Sequence, residues 1–320
     1  MKKVVVALLC AIVVLCAVSL KNKNYSKTEY MLDTLVTITC HDKKAVDACF
    51  DEIERLEKLF SCHMKGSDVS KINSAPFGIR TKVSPETLEI IKKANEYKKL
   101  THGAFDISIK PLSDLWDIKG GGYVPLDNEI SSALSLLSDV IIEGDEVFLE
   151  KEGAQIDLGG IAKGYIGDKV LEILKEQNVK SAIVDLGGNI VTLGKNGKTS
   201  WNVGLQNPTA PRGTTFGNIE VSEGSVVTSG GYERYFEKGG KTYHHILDTS
   251  TGKNPETDIL SVTVVSGDGA LADALSTACF CMDKEDALNL AEDLQVEMII
   301  YTENGIFKTD KTIINQIQER

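Results

Sequence analysis

The chain has 320 residues and a net charge of −11, with 46 Asp and Glu against 35 Lys and Arg. That balance argues against nucleic acid or an anionic membrane surface as the main partner, so an anionic nucleotide would need local devices such as helix ends, lone lysines or a metal. An apolar share of 42 % is ordinary for a folded protein and supplies a core for one large domain or two modest ones.

Met1-Lys2-Lys3 precedes an uncharged, mostly apolar run from Val4 to Leu20, the pattern of an export signal. Residues 1–20 are read as a signal peptide or signal anchor. Ala17-Val18-Ser19 offers a small-x-small cleavage site, and Cys16 is a lipidation candidate preceded by the bulky Leu15. Residues 21–29 are polar and read as a tether, and 30–320 as one folded domain. Tyr30 to Cys40 alternates as a strand, and apolar residues at 46, 49, 50, 53, 56 and 60 form a helical stripe. Ser84-Pro85-Glu86 starts a helix running to about Leu100, with serine as cap and proline in the first turn. Asp127 opens a helix to Leu137, and Val140 to Leu149 reads as a hairpin. Helices are expected over Tyr165–Gln177, Ala270–Met282 and Lys284–Leu294. Short strands are expected at Ser181–Val184, Trp201–Gln206, Asn218–Val221, Ser225–Ser229, Thr242–Leu247, Ser261–Ser266 and Val296–Thr302. Consecutive strands without intervening helices favour an α+β domain over a doubly wound sheet. The five cysteines beyond the leader (Cys40, Cys49, Cys62, Cys279, Cys281) have no CxxC pair and read as buried small hydrophobes.

The stretch Asp157-Leu-Gly-Gly-Ile-Ala-Lys-Gly-Tyr165 carries the most information. Its glycine pair lets the backbone turn tightly and approach a ligand, and the helix start behind it suits a phosphate. Asp185-Leu-Gly-Gly-Asn189 echoes it after the next strand. The lysine precedes its glycine and no Ser or Thr follows, so the loop is not of the Walker type; no GxGxxG, HExxH or GxSxG is present either. Gly103-Ala104-Phe105-Asp106 follows a helix, as a helix end with a core phenylalanine would. His244 and His245 are adjacent on a strand, so at most one faces a given site. Asp273 and Thr277, four apart, share a helix face. They would suit Mg²⁺ with phosphates completing the shell, or simply an N-terminal Asp and a Thr bonded back to its own helix.

Taken together these stretches suggest a phosphate-rich ligand, a hard metal ion and a histidine able to activate a hydroxyl. The set Asp157–Tyr165, Asp185–Asn189, Thr228-Ser229-Gly230 with Tyr232-Glu-Arg234, His245-Ile-Leu-Asp248 with Thr251-Gly252, and Ala272-Asp273-Ala274 with Ser276-Thr277 resembles the ApbE family of FAD:protein FMN transferases. The resemblance runs from about Tyr30 to Ile300 and includes Ser67–Asn73 and Gly103–Asp106. It implies an α+β, T-fold-like single domain with mixed or antiparallel sheets and flanking helices. It also implies a Mg²⁺-dependent reaction in which FAD is split, FMN passes to a Ser or Thr hydroxyl of an exported redox protein, and AMP leaves. By position, Asp273 and Thr277 would bind Mg²⁺ by side chain and Gly160 by its carbonyl. Met31, Ala104, Phe105, Asp106, Asp157, Lys163 and Leu247 would line the FAD site, and His245 would be the general base. The implied partner carries an Asp-x-x-(Ser/Thr)-Gly-Ala-(Thr/Ser) motif, and the implied location is the outer face of the cytoplasmic membrane, with attachment through the N-terminus. Rival readings are an FAD pyrophosphatase and a flavin-binding lipoprotein without turnover. The chain departs from the family pattern at Met31-Leu-Asp-Thr34, where Met-Gly-Thr is usual, and at His63, where an aromatic residue is common.

Overall fold

Residues 24–310, 312, 314 and 315 are described by a computed structural model of the protein. Its first two strands, β1 (Tyr25–Met31) and β2 (Thr34–Cys40), form an antiparallel hairpin paired from Tyr25↔Cys40 to Met31↔Thr34. Leu32 and Asp33 make the reversal with φ of 54° and 58°, the left-handed pair that a two-residue hairpin turn needs. The segment read as tether is therefore strand from Tyr25 onward, and the single strand expected over Tyr30–Cys40 is two. Polar Lys27, Thr28 and Glu29 hid β1, because an edge strand needs little apolar surface. The leader expected over residues 1–20 lies outside the described residues.

The stripe after β2 becomes α1 (Lys43–Phe60), which buries Val46, Cys49, Phe50, Ile53, Leu56 and Phe60. Asp42 caps it by accepting from the Lys44 amide at 2.8 Å. Next come α2 (Asp68–Ser74) and α3 (Pro85–Leu100), the latter capped by Ser84 with Pro85 in its first turn, as the sequence indicates. Asp68 stitches the two helices, accepting from the Ser84 amide at 2.7 Å and the Thr87 hydroxyl at 3.0 Å. Then follow α4 (Lys110–Trp116), α5 (Asp127–Ser135) and a small sheet ordered β3 (Thr81–Lys82), β5 (Glu146–Leu149), β4 (Val140–Glu143).

The remaining helices are α6 (Ala162–Glu176), α7 (Gly269–Phe280) and α8 (Lys284–Asp293). With β6 (Ser181–Leu186), β7 (Ile190–Gly194), β10 (Gly224–Gly230), β13 (Ile259–Ser266), β14 (Glu297–Thr302) and β15 (Gly305–Lys308), the first hairpin completes an eight-stranded sheet. Its order is β1-β2-β6-β7-β10-β13-β14-β15, every neighbouring pair antiparallel. The strand period of two sorts its residues between faces. Val227, Val262 and Val264 join the cluster with Leu275 of α7, whereas Val226 joins the hairpin β8 (Trp201–Gln206) and β9 (Thr215–Val221). The larger apolar cluster joins β2 and β6 to α1, α6 and α7. The architecture is α+β, with open antiparallel sheets and flanking helices, as expected from the run of consecutive strands. Cys40, Cys49 and Cys279 are buried, and all five cysteines are unpaired. Among the described residues no helix is long and apolar enough to cross a membrane.

Candidate functional site

The glycine turn ends where α6 begins, and α6 crosses α7 very closely. A Cβ on Gly164 would lie 2.0 Å from the Gly269 carbonyl oxygen and 2.8 Å from the Asp273 Cβ, so only glycine permits this approach. Asp168, one turn further along α6, receives the amides of Gly269 at 2.8 Å and Ala270 at 3.1 Å and so caps α7. Burial pushes this carboxyl up to about 6, against the lowering effect of those two amides. Asp273 answers in the other direction: its Oδ2 accepts the Gly164 amide at 2.9 Å, satisfying one of the free N–H groups at the start of α6. The two helices thus exchange carboxylates at their N-termini.

Asp273 is 4 % exposed, and no hydrogen bond from the described residues engages its Oδ1. Thr277, one turn on, donates back to the Asp273 carbonyl at 3.2 Å, the helix-internal bond weighed from sequence. Its hydroxyl also stands 3.3 Å from Ser229 Oγ, which meets Ser276 Oγ at 2.8 Å. A Cβ on Gly160 would sit 3.9 Å from Thr277 Oγ1 and 3.2 Å from the Phe105 ring, so the glycine turn, Phe105 and α7 meet at one place. The free Asp273 carboxylate oxygen and the Thr277 hydroxyl, with the Gly160 main chain nearby, are hard oxygens of the kind Mg²⁺ takes. Among the described residues no cluster of three or more His, Cys, Asp or Glu exists, so an ion held here would draw its remaining ligands from phosphate and water.

Around this point the other predicted residues are held by neighbouring loops. Asn73 clamps the approach to the glycine turn, exchanging bonds with the Ile156 carbonyl at 2.8 Å and the Ile156 amide at 2.7 Å. Asp157 donates its amide to the Ile107 carbonyl and accepts the Gly159 amide at 2.8 Å. Ala104 is half-buried and Phe105 is a core residue, as the helix-end reading implies. His102 and Gly103 close α3 with φ of 50° and 89°. Asp106 spends its carboxylate internally, on the Ser108 amide and hydroxyl at 2.8 Å each and on Lys98 at 2.9 Å. A nucleotide contact at Asp106 would therefore come from its main chain. Met31 is buried in the same core as Phe105. Leu247 packs with Leu112 and Trp116, and its loop is tied to the Ala104 loop by the 2.7 Å bond from Thr249 Oγ1 to the Gly103 carbonyl.

The hairpin β11 (Tyr235–Lys238) and β12 (Lys241–His244) brings in the histidines. The expected strand over Thr242–Leu247 ends early, at His244. As the alternation demands, the two rings part company. His244 packs edge-on against Phe280 of α7 and bonds Asn254, and burial pushes it down to about 4. His245 lies with Nδ1 3.3 Å from the Arg234 carbonyl. A carbonyl only accepts, so Nδ1 carries the proton and Nε2 is left as a base. Surrounding protein first, then the Arg234 charge and more weakly that of Lys163, push this imidazole well below its ordinary value. His245 is itself exposed, and the ring is neutral at neutral pH. Lys163 reaches Asn189 Oδ1 at 3.3 Å, so both glycine turns contribute to this end of the sheet. Arg234 also lines an open crevice with Tyr30, Asp33, Lys119 and Tyr235, crossed by the 2.6 Å Asp33–Lys119 ion pair. His63 stands exposed near Asp33. Sequence reading placed Asn73, Ser229 and Asn189 in motifs without giving them a role and passed over Asp168, because each acts through a partner distant in the chain.

The same arrangement has relatives. The model of the ApbE family matches residues 32–300. An FAD:protein FMN transferase of Klebsiella pneumoniae (strain 342) is 36 % identical over 293 residues, covering 88 % of this chain and 90 % of that protein. One of Treponema pallidum (strain Nichols) is 31 % identical over 316 residues, covering 91 % and 87 %. Among solved structures, the ApbE protein of Thermotoga maritima superposes with a TM-score of 0.84 at 34 % identity, covering 90 % of this chain and 97 % of that one. The flavin transferase ApbE of Vibrio cholerae superposes at 0.81 with 25 % identity, covering 92 % and 97 %. A family match that spans both glycine turns, the histidine pair and the α6–α7 crossing, together with relatives alike over nearly their whole length, establishes that the chain belongs to the ApbE family.

Proposed function

We propose that this protein is an FAD:protein FMN transferase, moving FMN from FAD to a Ser or Thr hydroxyl of an acceptor protein and releasing AMP. The observation that carries the reading is the convergence of Gly160, Asp273 and Thr277 at the α6–α7 crossing, with Lys163 and a neutral His245 at the same end of the fold. In this reaction the acceptor oxygen attacks the FMN-side phosphorus, the bond to the bridging oxygen breaks, and AMP leaves with that oxygen. Nε2 of His245 takes the hydroxyl proton. The Arg234 carbonyl, by holding Nδ1–H, keeps the ring in the tautomer that can do so. Lys163 brings positive charge to a phosphate, and the glycine turn lets the main chain come close to it. Asp273, Thr277 and the Gly160 carbonyl would hold Mg²⁺, which when bound neutralises charge on the pyrophosphate. The family relationship, the hard-oxygen donor set and the base of matched tautomer support this reading.

The acceptor is proposed to present an Asp-x-x-(Ser/Thr)-Gly-Ala-(Thr/Ser) segment. The basic start and apolar run at residues 1–20 support export and attachment at the outer face of the cytoplasmic membrane. The test is metal dependence: Asp273→Ala should remove the Mg²⁺ requirement together with at least about 100-fold of the transfer rate. An Asp273→Ala protein that keeps the wild-type rate and its Mg²⁺ response would contradict the assignment.

A further inference from the structure

The echo turn Asp185–Asn189 has no role yet in the reaction above, although it is built as carefully as the first. It links β6 to β7 with Gly187 and Gly188 at φ of 71° and 99°. Gly188 donates its amide to Asp185 at 2.7 Å, and Leu186 donates to the Asn189 carbonyl at 2.9 Å. A Cβ on Gly187 would lie 2.2 Å from Thr34 Oγ1, so the turn is seated against the first hairpin. This geometry drives Asn189 inward until it is only 2 % exposed.

The amide orientation of Asn189 is chemically forced. Lys163 approaches at 3.3 Å, and an ammonium has only protons to give, so the atom facing it must be the carbonyl oxygen. The Nδ2 group is then buried with no acceptor, and among the described residues it is the one buried side-chain polar atom in that condition. Leaving such a donor unmet is costly, and folded proteins rarely do so. A bound group that accepts from Asn189 Nδ2 while sitting beside the Lys163 ammonium removes the cost. A phosphate is that group: it offers several anionic oxygens, one for the amide and another for the lysine.

We infer that Asn189 is a direct ligand of the flavin nucleotide, donating from Nδ2 to a phosphate oxygen while its Oδ1 holds Lys163 for the same phosphate. The inference rests on the flavin-nucleotide reading of the site. Its test is binding of FAD, FMN and riboflavin to the wild-type protein, to Asn189→Leu, which removes donor and acceptor at similar size, and to Asn189→Asp, which keeps the acceptor for Lys163 but loses the donor. Both variants should weaken FAD and FMN by about tenfold or more while changing riboflavin less than about twofold, with no fall in the melting temperature of the unliganded Leu variant. In a Lys163→Met background, Asn189→Leu should still weaken FAD, because the amide makes its own contact. Unchanged FAD affinity would overturn the inference and leave the amide to a buried water. An equal loss for riboflavin would also overturn it, placing the effect in folding or at the flavin ring. A wild-type protein that binds neither FAD nor FMN would overturn the flavin-nucleotide reading itself.

Discussion

At the scale of single residues, the proposed base His245 sets when the site could accept a proton. Its surroundings and Arg234 disfavour the imidazolium, so the folded-state pKa lies below the unfolded value. A lowered pKa means that the ring is neutral at neutral pH and is charged only at a pH below that of an ordinary histidine. Imidazole chemical shifts of the unliganded protein should therefore place the His245 midpoint below the ordinary histidine value of about 6.5. An inflection near pH 6.5 would contradict the environment described. This protonation state could not be read from sequence, where His244 and His245 differ only in order; the Arg234 carbonyl and the Phe280 ring tell them apart. The Leu32-Asp33 turn was only partly legible. Its departure from a glycine-bearing pattern was plain, but not that both residues take left-handed backbone to hold Asp33 against Lys119.

Among elements, the α6–α7 crossing decides whether a site exists. Gly164 and Gly269 bring the helices together, and each helix satisfies the other's free amides through Asp273 and Asp168. Gly164→Ala must force the helices apart, because the obstacle is the Gly269 carbonyl rather than a movable side chain. The expected cost is about 2–3 kcal/mol of stability, with loss of FAD affinity in parallel, read by denaturant unfolding and by titration. Near-wild-type stability with intact binding would refute the close crossing as the organising contact. The helices themselves were legible: the stripe of α1, the Ser84-Pro85 start of α3, and Asp273 with Thr277 on one face of α7 follow from local rules. Their mutual approach was not, since 109 residues separate Gly164 from Asp273. Periodicity within either helix carries no record of its partner.

For the molecule as a whole, β1 closes one edge of the eight-stranded sheet and pairs with β2 along its full length. A chain beginning at Asn24 should fold like the full-length protein, whereas one beginning at Tyr30 should lose several degrees of melting temperature and associate through the bared β2 edge. Light scattering and thermal unfolding of the two would check this; equal behaviour would mean β1 is dispensable. The net charge of −11 and the membership of a family of FAD:protein FMN transferases fit a protein acceptor better than a polyanion. The most direct test of the central claim incubates the chain from Asn24 with FAD, Mg²⁺ and a protein bearing the Asp-x-x-(Ser/Thr)-Gly-Ala-(Thr/Ser) segment, and then measures flavin fluorescence on the denatured acceptor. Covalent flavin should appear with the wild-type enzyme and fall at least about 100-fold with His245→Ala, which should still bind FAD. Free FMN without labelled acceptor, or labelling undiminished in the His245→Ala protein, would contradict the account.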